Sequence, residues 1–398
     1  MRTVKWNPFL SGVVVLLGSA LLATGARADV STTNPAAILV FPKLEVDTST
    51  GTNTVVQITN TSASPVSVRC FYVNSNGHCS TDPNDICNIE YPPDPNDSGL
   101  RSNNCAEIDG VCEPGWIETD FRFRLTPHQP IVWDVQGGMA EFPLAAVAGP
   151  TGEFNDQSSI PRAPEDPFRG ELKCIVVGDD ELPIDRNWLK GEASITDSDG
   201  STSGRIDVSV YNAYGIQAIE GANNRDNTLV LGEEYNACPN IVEILHYFDD
   251  AEEPAYGDTV HSELTFVPCS QDFNFQIPKR ITVQFLVFNE FEQRFSTSRP
   301  VDCLTTVPLS DIVPRPGDSD DFASIFNVAV QGTLTGKTLA RGVNDESEDA
   351  PGGETFLVLV DELQADGDSY TATYAAHQRG SRVQPDIIQL PAAAPTGP

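Results

Sequence analysis

Two stretches carry the oxygen ligands that a hard cation needs. Asp197-Ser198-Asp199-Gly200 and Asp318-Ser319-Asp320-Asp321 space their carboxylates as the start of a calcium loop does, and such loops hold the ion with oxygens at about 2.3–2.6 Å. Neither completes an EF-hand, because Val208 stands where a loop opened by Asp197 would close on Glu. Asp-Gly is also a plain hairpin-turn signal. Asp197, Asp199, Asp318, Asp320 and Asp321 are therefore candidate calcium ligands or simple turn residues. A third cluster, Asn223-Asn224-Arg225-Asp226-Asn227, joins amides to Arg and Asp. Such groups suit sugar hydroxyls, with Tyr211, Tyr214 or Tyr235 to stack on a ring. The same residues form Asx turns and accept left-handed backbone, so a tight loop explains them with fewer assumptions.

Catalytic patterns are sparse. The sequence has no G-x-S-x-G elbow, no G-x-G-x-x-G, no P-loop and no H-E-x-x-H. His78, His128, His246, His261 and His377 are scattered, and no two have metal-site spacing. Each reads as a surface or satisfied core histidine. Glu290 and Glu292 lie two apart, which on a strand puts both on one face. They are a candidate glycosidase pair, which needs two carboxyls facing one groove. In a chain with 57 acidic residues, a solvated strand face is the competing explanation.

Charge narrows the partners. The 398 residues include 24 Lys and Arg against 57 Asp and Glu, a net charge of −33. Nucleic-acid binding requires clustered basic residues, so a nucleic-acid partner is excluded as an expectation. Arg2 and Lys5, the apolar run 9–24 and Ala26-Arg27-Ala28 form a secretory signal segment over 1–28, cut before Asp29. An uncleaved anchor is the competing reading. No later segment has the length of apolar residues that a membrane helix needs, so no integral membrane segment is expected after cleavage. The expected location is exported: periplasmic, cell-surface or extracellular. Asn60-Thr61-Ser62 and Asn96-Asp97-Ser98 are glycosylation sequons that matter only in a host that uses them.

Nine cysteines, Cys70, Cys79, Cys87, Cys105, Cys112, Cys174, Cys238, Cys269 and Cys303, read as disulfide partners in an exported chain. The count is odd, so one is left over or pairs between chains. Five crowd into 70–112, which suggests an insertion at 74–118 stapled by two bridges. Cys174 with Cys238 and Cys269 with Cys303 are the remaining expected pairs.

Short β-rich runs separated by turn residues dominate the rest. Strands are expected at 38–41, 53–60, 66–73, 119–125, 131–133, 171–177, 190–196, 205–210, 216–219 and 228–231. They continue at 264–268, 281–289, 326–330, 356–360 and 370–374, and Asn240–Phe248 reads as strand rather than helix. Pro and Gly make 143–167 a linker, and Asp249–Gly257 is a second, weaker break. The tail 392–398 is expected to be disordered. Leu39-Val40-Phe41-Pro42 before Thr54-Val55-Val56-Gln57 is echoed by Leu264 to Pro268 before Thr282-Val283-Gln284-Phe285, a faint internal repeat.

The segment 35–73 (PAAILVFPKLEV to VSVRCFYV) resembles exported bacterial proteins of unassigned function and the first strands of Ig-like surface modules. That resemblance implies a sandwich fold and export, and it carries over no functional residue. No Trp follows Cys70 in the antibody-type interval.

The expectation is thus an all-β chain of tandem antiparallel Ig-like β-sandwich domains with a disulfide-rich insertion. The domains are 29–142, 168–250 and 251–391. The expected role is a non-enzymatic surface, adhesion or matrix-type protein, calcium-stabilised at most, without other cofactors, taking a glycan or protein ligand. The alternatives are an extracellular glycan hydrolase with a carboxylate pair, and a structural subunit that self-associates through strand edges or the odd cysteine.

Overall fold

The strand Asn53–Asn60 shows how these sequences become sheet: Thr54, Val56, Ile58 and Asn60 are buried, and the residues between them are half-buried. A side-chain period of two sends one row of a strand into a core and the other outward. The computed structural model describes residues 30–75, 106–108, 111–113, 118–138, 160–197, 207–252, 257, 259–275, 279–312, 324–343, 353–365, 370–380 and 386–392. The expected signal segment, the linker apart from 160–167 and most of the 74–118 insertion lie outside them. So do Asp199, Asp318, Asp320 and Asp321, and the tail after Ala392.

Five sheets of three or more strands carry the fold. The first orders Tyr214–Ile216, Ile38–Val46, Phe168–Val177, Val66–Asn74 and Glu118–Leu125. The second orders Asp207–Asn212, Leu189–Asp197, Asn53–Asn60 and Pro130–Asp134. The third is small: Thr228–Leu231, Asp386–Gln389 and Gln271–Asp272, the last two being parallel. The fourth orders Arg294–Asp302, Arg280–Asn289, Thr335–Val343, Ile241–Tyr247 and His377–Arg379. The fifth orders Ala251–Glu252, Thr259–Pro268, Phe356–Ala365 and Tyr370–Ala375, and Thr305–Pro308 also pairs with Thr259–Pro268.

Three apolar clusters join the sheets. Phe41, Val56, Tyr72, Phe123, Trp133 and Ile195 fill the space between the first and second sheets. Val242, Phe266, Val283, Phe285 and Val358 do the same for the fourth and fifth. The remaining cluster brings Val40, Phe71 and Ile175, from the other face of the first sheet, against Phe273, Ile388 and Leu357. The first sheet is therefore covered on both faces. That is why Phe168–Val177 is buried at nearly every position instead of alternating.

This arrangement corrects the expected tandem Ig-like modules. None of the five sheets is a run of consecutive strands. Phe168–Val177 pairs with both Ile38–Val46 and Val66–Asn74, so strands from the two sides of 143–167 share a sheet. The disulfide argues the same way. An Ig-type bridge joins two sheets, whereas Cys70 and Cys174 face each other on neighbouring strands of one sheet, bonded at 2.06 Å. Cys238 pairs with Cys269, so both expected pairs, Cys174–Cys238 and Cys269–Cys303, are replaced. Cys303 is buried. Cys112 lies in the short strand Val111–Glu113, and Cys79, Cys87 and Cys105 fall outside the described residues.

One expected strand is a helix. At 326–330 the side chain of Asn327 accepts from the Ala329 amide and caps the short helix Val328–Gln331, which ends at Gly332 with φ 68°. Asn at the N-cap and Gly in left-handed conformation are the usual start and stop of a helix. Among the described residues, no helix is long and apolar enough to cross a membrane.

Candidate metal centre

The fourth sheet hands the chain to the fifth through a tight turn, and that turn gathers the donor groups. The strand Ile241–Tyr247 runs into Phe248, which is fully buried. Phe248 packs onto Gly336, where a Cβ would come within 2.4 Å of the ring, so this position has no room for a side chain. His246 stacks edge-on against Phe248 at 5.2 Å and lies 5.5 Å from the ring of Phe326.

The turn itself is pinned from a distant segment. The Asp249 amide donates to the Phe326 carbonyl at 2.8 Å, and the Val328 amide donates to the Asp249 carbonyl at 3.0 Å. Asp250 then takes φ 64°, a left-handed conformation that Asp tolerates better than most residues. Ala251 donates back to the Phe248 carbonyl at 3.0 Å. Ala251–Glu252 pairs with Thr259–Val260, which folds the chain onto the next strand and carries His261 toward Asp249.

The result is three donors in one place. His261 Nδ1 lies 2.9 Å from Asp249 Oδ1. Asn327 Nδ2 donates to Asp250 Oδ2 at 2.8 Å. One ligand atom from each of Asp249, Asp250 and His261 falls within 4.8 Å of the other two. A zinc ion bonded at about 2.0–2.2 Å to each of three donors needs separations of this order. The Asp249 side chain is 8% exposed and that of His261 42%. The group is therefore anchored on its inner side and open to solvent on the other. Asn327 supplies an outer hydrogen bond of the kind that orients metal-binding carboxylates.

This cluster corrects the expectation of a non-enzymatic scaffold with no catalytic group. Two carboxylates and an imidazole form a donor set able to hold a metal ion, and the scattered spacing of the histidines in the sequence does not reveal it. Glu290 and Glu292, the candidate glycosidase pair, do not share a strand face. The strand stops at Asn289, both glutamates lie in the turn beyond it, and Glu292 has φ 61°. Glu290 accepts from the Thr335 hydroxyl at 2.7 Å.

The other candidates stand apart. Asp197 ends a strand and accepts from the Thr52 hydroxyl at 3.2 Å. In the 223–227 loop the amides serve the backbone. Asn223 accepts from the Arg225 amide at 2.6 Å, Asn224 from the Asp226 amide at 3.0 Å, and Asp226 from the Thr228 amide at 2.7 Å. Arg225 pairs with Asp180 at 2.6 Å. Asn223 and Arg225 line an open cleft of about 570 Å³ with Asp180, Asp185 and Arg186. Asn227 gives its carbonyl to the Leu390 amide at 2.8 Å. Tyr211, Tyr214 and Tyr235 are buried, so none offers a ring face to a sugar.

Of the other histidines, His246 is buried, His128 sits in a turn with φ 56°, His377 is exposed and His78 is outside the described residues. No protein-family model matches the chain, and no curated protein is significantly similar to it in sequence.

Proposed function

We propose that this chain is an exported metal-assisted hydrolase whose centre is Asp249, Asp250 and His261. The observation that carries the proposal is the convergence of these three donors within 4.8 Å on the solvent side of a pinned turn. Three protein ligands with a position open to water is the pattern of catalytic rather than structural zinc sites. Two carboxylates neutralise a divalent cation, and the imidazole suits zinc. When bound, the ion would lower the pKa of a water and polarise the bond under attack.

The chain's own groups do the positioning. Asp249 is fixed by its backbone bonds to Phe326 and Val328, Asp250 by Asn327, and His261 by its place on a paired strand. The net charge of −33 repels anionic substrates, which favours neutral esters, amides or glycosides over phosphates. A glycan substrate keeps the sense of the sequence-based hydrolase alternative, with a different set of residues.

Zinc titration of the metal-stripped protein, read by elemental analysis and by hydrolysis of chromogenic esters, anilides and glycosides, tests this. The expected result is one zinc per chain and chelator-sensitive hydrolysis, both lost in Asp249→Asn and His261→Ala. Failure to retain stoichiometric zinc, or equal retention by both variants, overturns the proposal.

A further inference from the structure

A second cluster of charged groups lies where the strand Ile38–Val46 meets the fifth sheet, one of its members, Glu263, standing two residues beyond His261 on the strand Thr259–Pro268. The register of Ile38–Val46 against Phe168–Val177 slips between Phe41 and Leu44. Bulges of this kind re-aim side chains, and here the slip points Lys43 away from its own sheet. Tyr211 holds the bulge from both sides: the Lys43 amide donates to the Tyr211 hydroxyl at 3.3 Å, and that hydroxyl donates to the Lys43 carbonyl.

Lys43 Nζ lies 2.9 Å from Asp361 Oδ2, 2.9 Å from Glu263 Oε2 and 3.7 Å from Glu45 Oε1. Lys43 is 8% exposed and Asp361 1%. Asp361 sits opposite Glu263 in the strand register, and its second oxygen accepts from Thr373, which also bonds Ser209 at 2.6 Å. The carboxyl group is thus fixed in orientation with one oxygen against the amine.

We infer that Lys43 and Asp361 are poised to condense into an intramolecular isopeptide bond that locks the two ends of the fold together. The step balances without any co-reactant. The ammonium Nζ gives up two protons and forms a C–N bond to Asp361 Cγ. One carboxylate oxygen leaves with those protons as water, relayed through Glu45, and the positive and negative charges cancel.

Proximity supplies the attack: the partners are held in contact by elements that are already packed. Burial supplies a driving force, because a neutral amide removes two charges that are costly to keep out of water. Burial also pushes the Glu45 carboxyl, whose Oε1 lies 3.7 Å from Lys43 Nζ, above its ordinary range, which makes it a better proton acceptor for the amine. Burial by itself would pull Lys43 down, but Asp361, Glu45 and Glu263 outweigh it and hold the amine above the usual lysine range. The neutral amine therefore forms only by proton transfer inside the cluster, and a single turnover after folding is enough. The bond would span 318 residues of sequence, and it depends on nothing at the metal centre.

Intact mass spectrometry of the folded full chain, after complete reduction and alkylation, decides the matter. The expected mass is one water below that of the sequence found by peptide mapping, and digestion yields a branched peptide joining the Lys43 and Asp361 segments. Lys43→Met gives the full mass and linear peptides. Asp361→Asn loses ammonia on condensing and gives the same product as the wild type. A wild-type chain of full mass with only linear peptides overturns the inference.

Discussion

Acid should unfasten the layer beneath the Asp249–Asp250–His261 cluster through one residue, His246. Its ring is enclosed by Phe248 and Phe326. Nδ1 donates to the Tyr247 carbonyl at 2.9 Å, since a carbonyl only accepts, and this leaves Nε2 to accept from the Thr338 hydroxyl at 2.8 Å. The neutral ring is therefore fully paired. Burial lowers its pKa from 6.5 to about 4. The unfolded chain binds a proton as the pH falls through 6.5, while the folded chain refuses it until about 4. Between those values the unfolded state holds more protons, so stability falls as the pH falls. At about 1.4 kcal/mol per unit, the loss reaches about 3 kcal/mol once the pH is below the folded value.

Many carboxylates titrate in the same range, so the measurement is a difference. His246→Gln stays neutral throughout and keeps one donor and one acceptor. Urea unfolding of both proteins above pH 6.5 and below pH 4 should show the wild type losing about 3 kcal/mol more than the variant. Equal losses, or a proton resonance of His246 titrating near 6.5, would refute the reasoning.

Three other perturbations have definite outcomes. Asn327→Ala removes both the cap of the short helix and the bond to Asp250. It should weaken zinc binding by about 10–100-fold in a chelator competition while the fold persists. Gly336→Ala drives a methyl group to 2.4 Å from the Phe248 ring and should cost about 1–3 kcal/mol, read as a lower denaturant midpoint. Tyr72→Phe takes away the acceptor that meets Trp133 Nε1 at 2.7 Å in the first core. Stranding that buried donor should cost about 1–3 kcal/mol by chemical denaturation.

Local strand character was legible wherever β-branched residues alternate. Asn53–Asn60 and Thr228–Leu231 have the expected bounds, and the segments expected at 190–196 and 205–210 pair as Leu189–Asp197 and Asp207–Asn212. Thr335–Val343 escaped notice because its glycines look like turn residues. Gly342 is in fact required by the Glu354 carbonyl, which would lie 2.0 Å from a Cβ there. Arg294–Asp302 escaped for the opposite reason, since an edge strand with polar residues carries no apolar row. Sheet order was not legible at all. Which strands pair across a hundred residues is decided by the shared cores, and Cys70–Cys174, separated by 104 residues, follows that order rather than cysteine spacing.

The candidate metal centre was hidden by the features that build it. Asp249–Gly257 is acidic and contains Pro and Gly, so it reads as a break between domains. Its first residues, Asp249 and Asp250, are where the chain crosses from the fourth sheet to the fifth, and a crossing needs the turn-forming residues that also resemble a linker. Among 57 acidic side chains, adjacency of Asp249 and Asp250 discriminates nothing. What sets them apart is a histidine on the following strand and an asparagine 77 residues away from Asp250. Lys43 makes the same point more sharply, because its partner lies 318 residues away and only a strand slip turns the side chain toward it. In a strongly acidic chain, a carboxylate becomes chemically distinct when distant backbone fixes it beside a nitrogen base, and that condition is a property of the packed sheets.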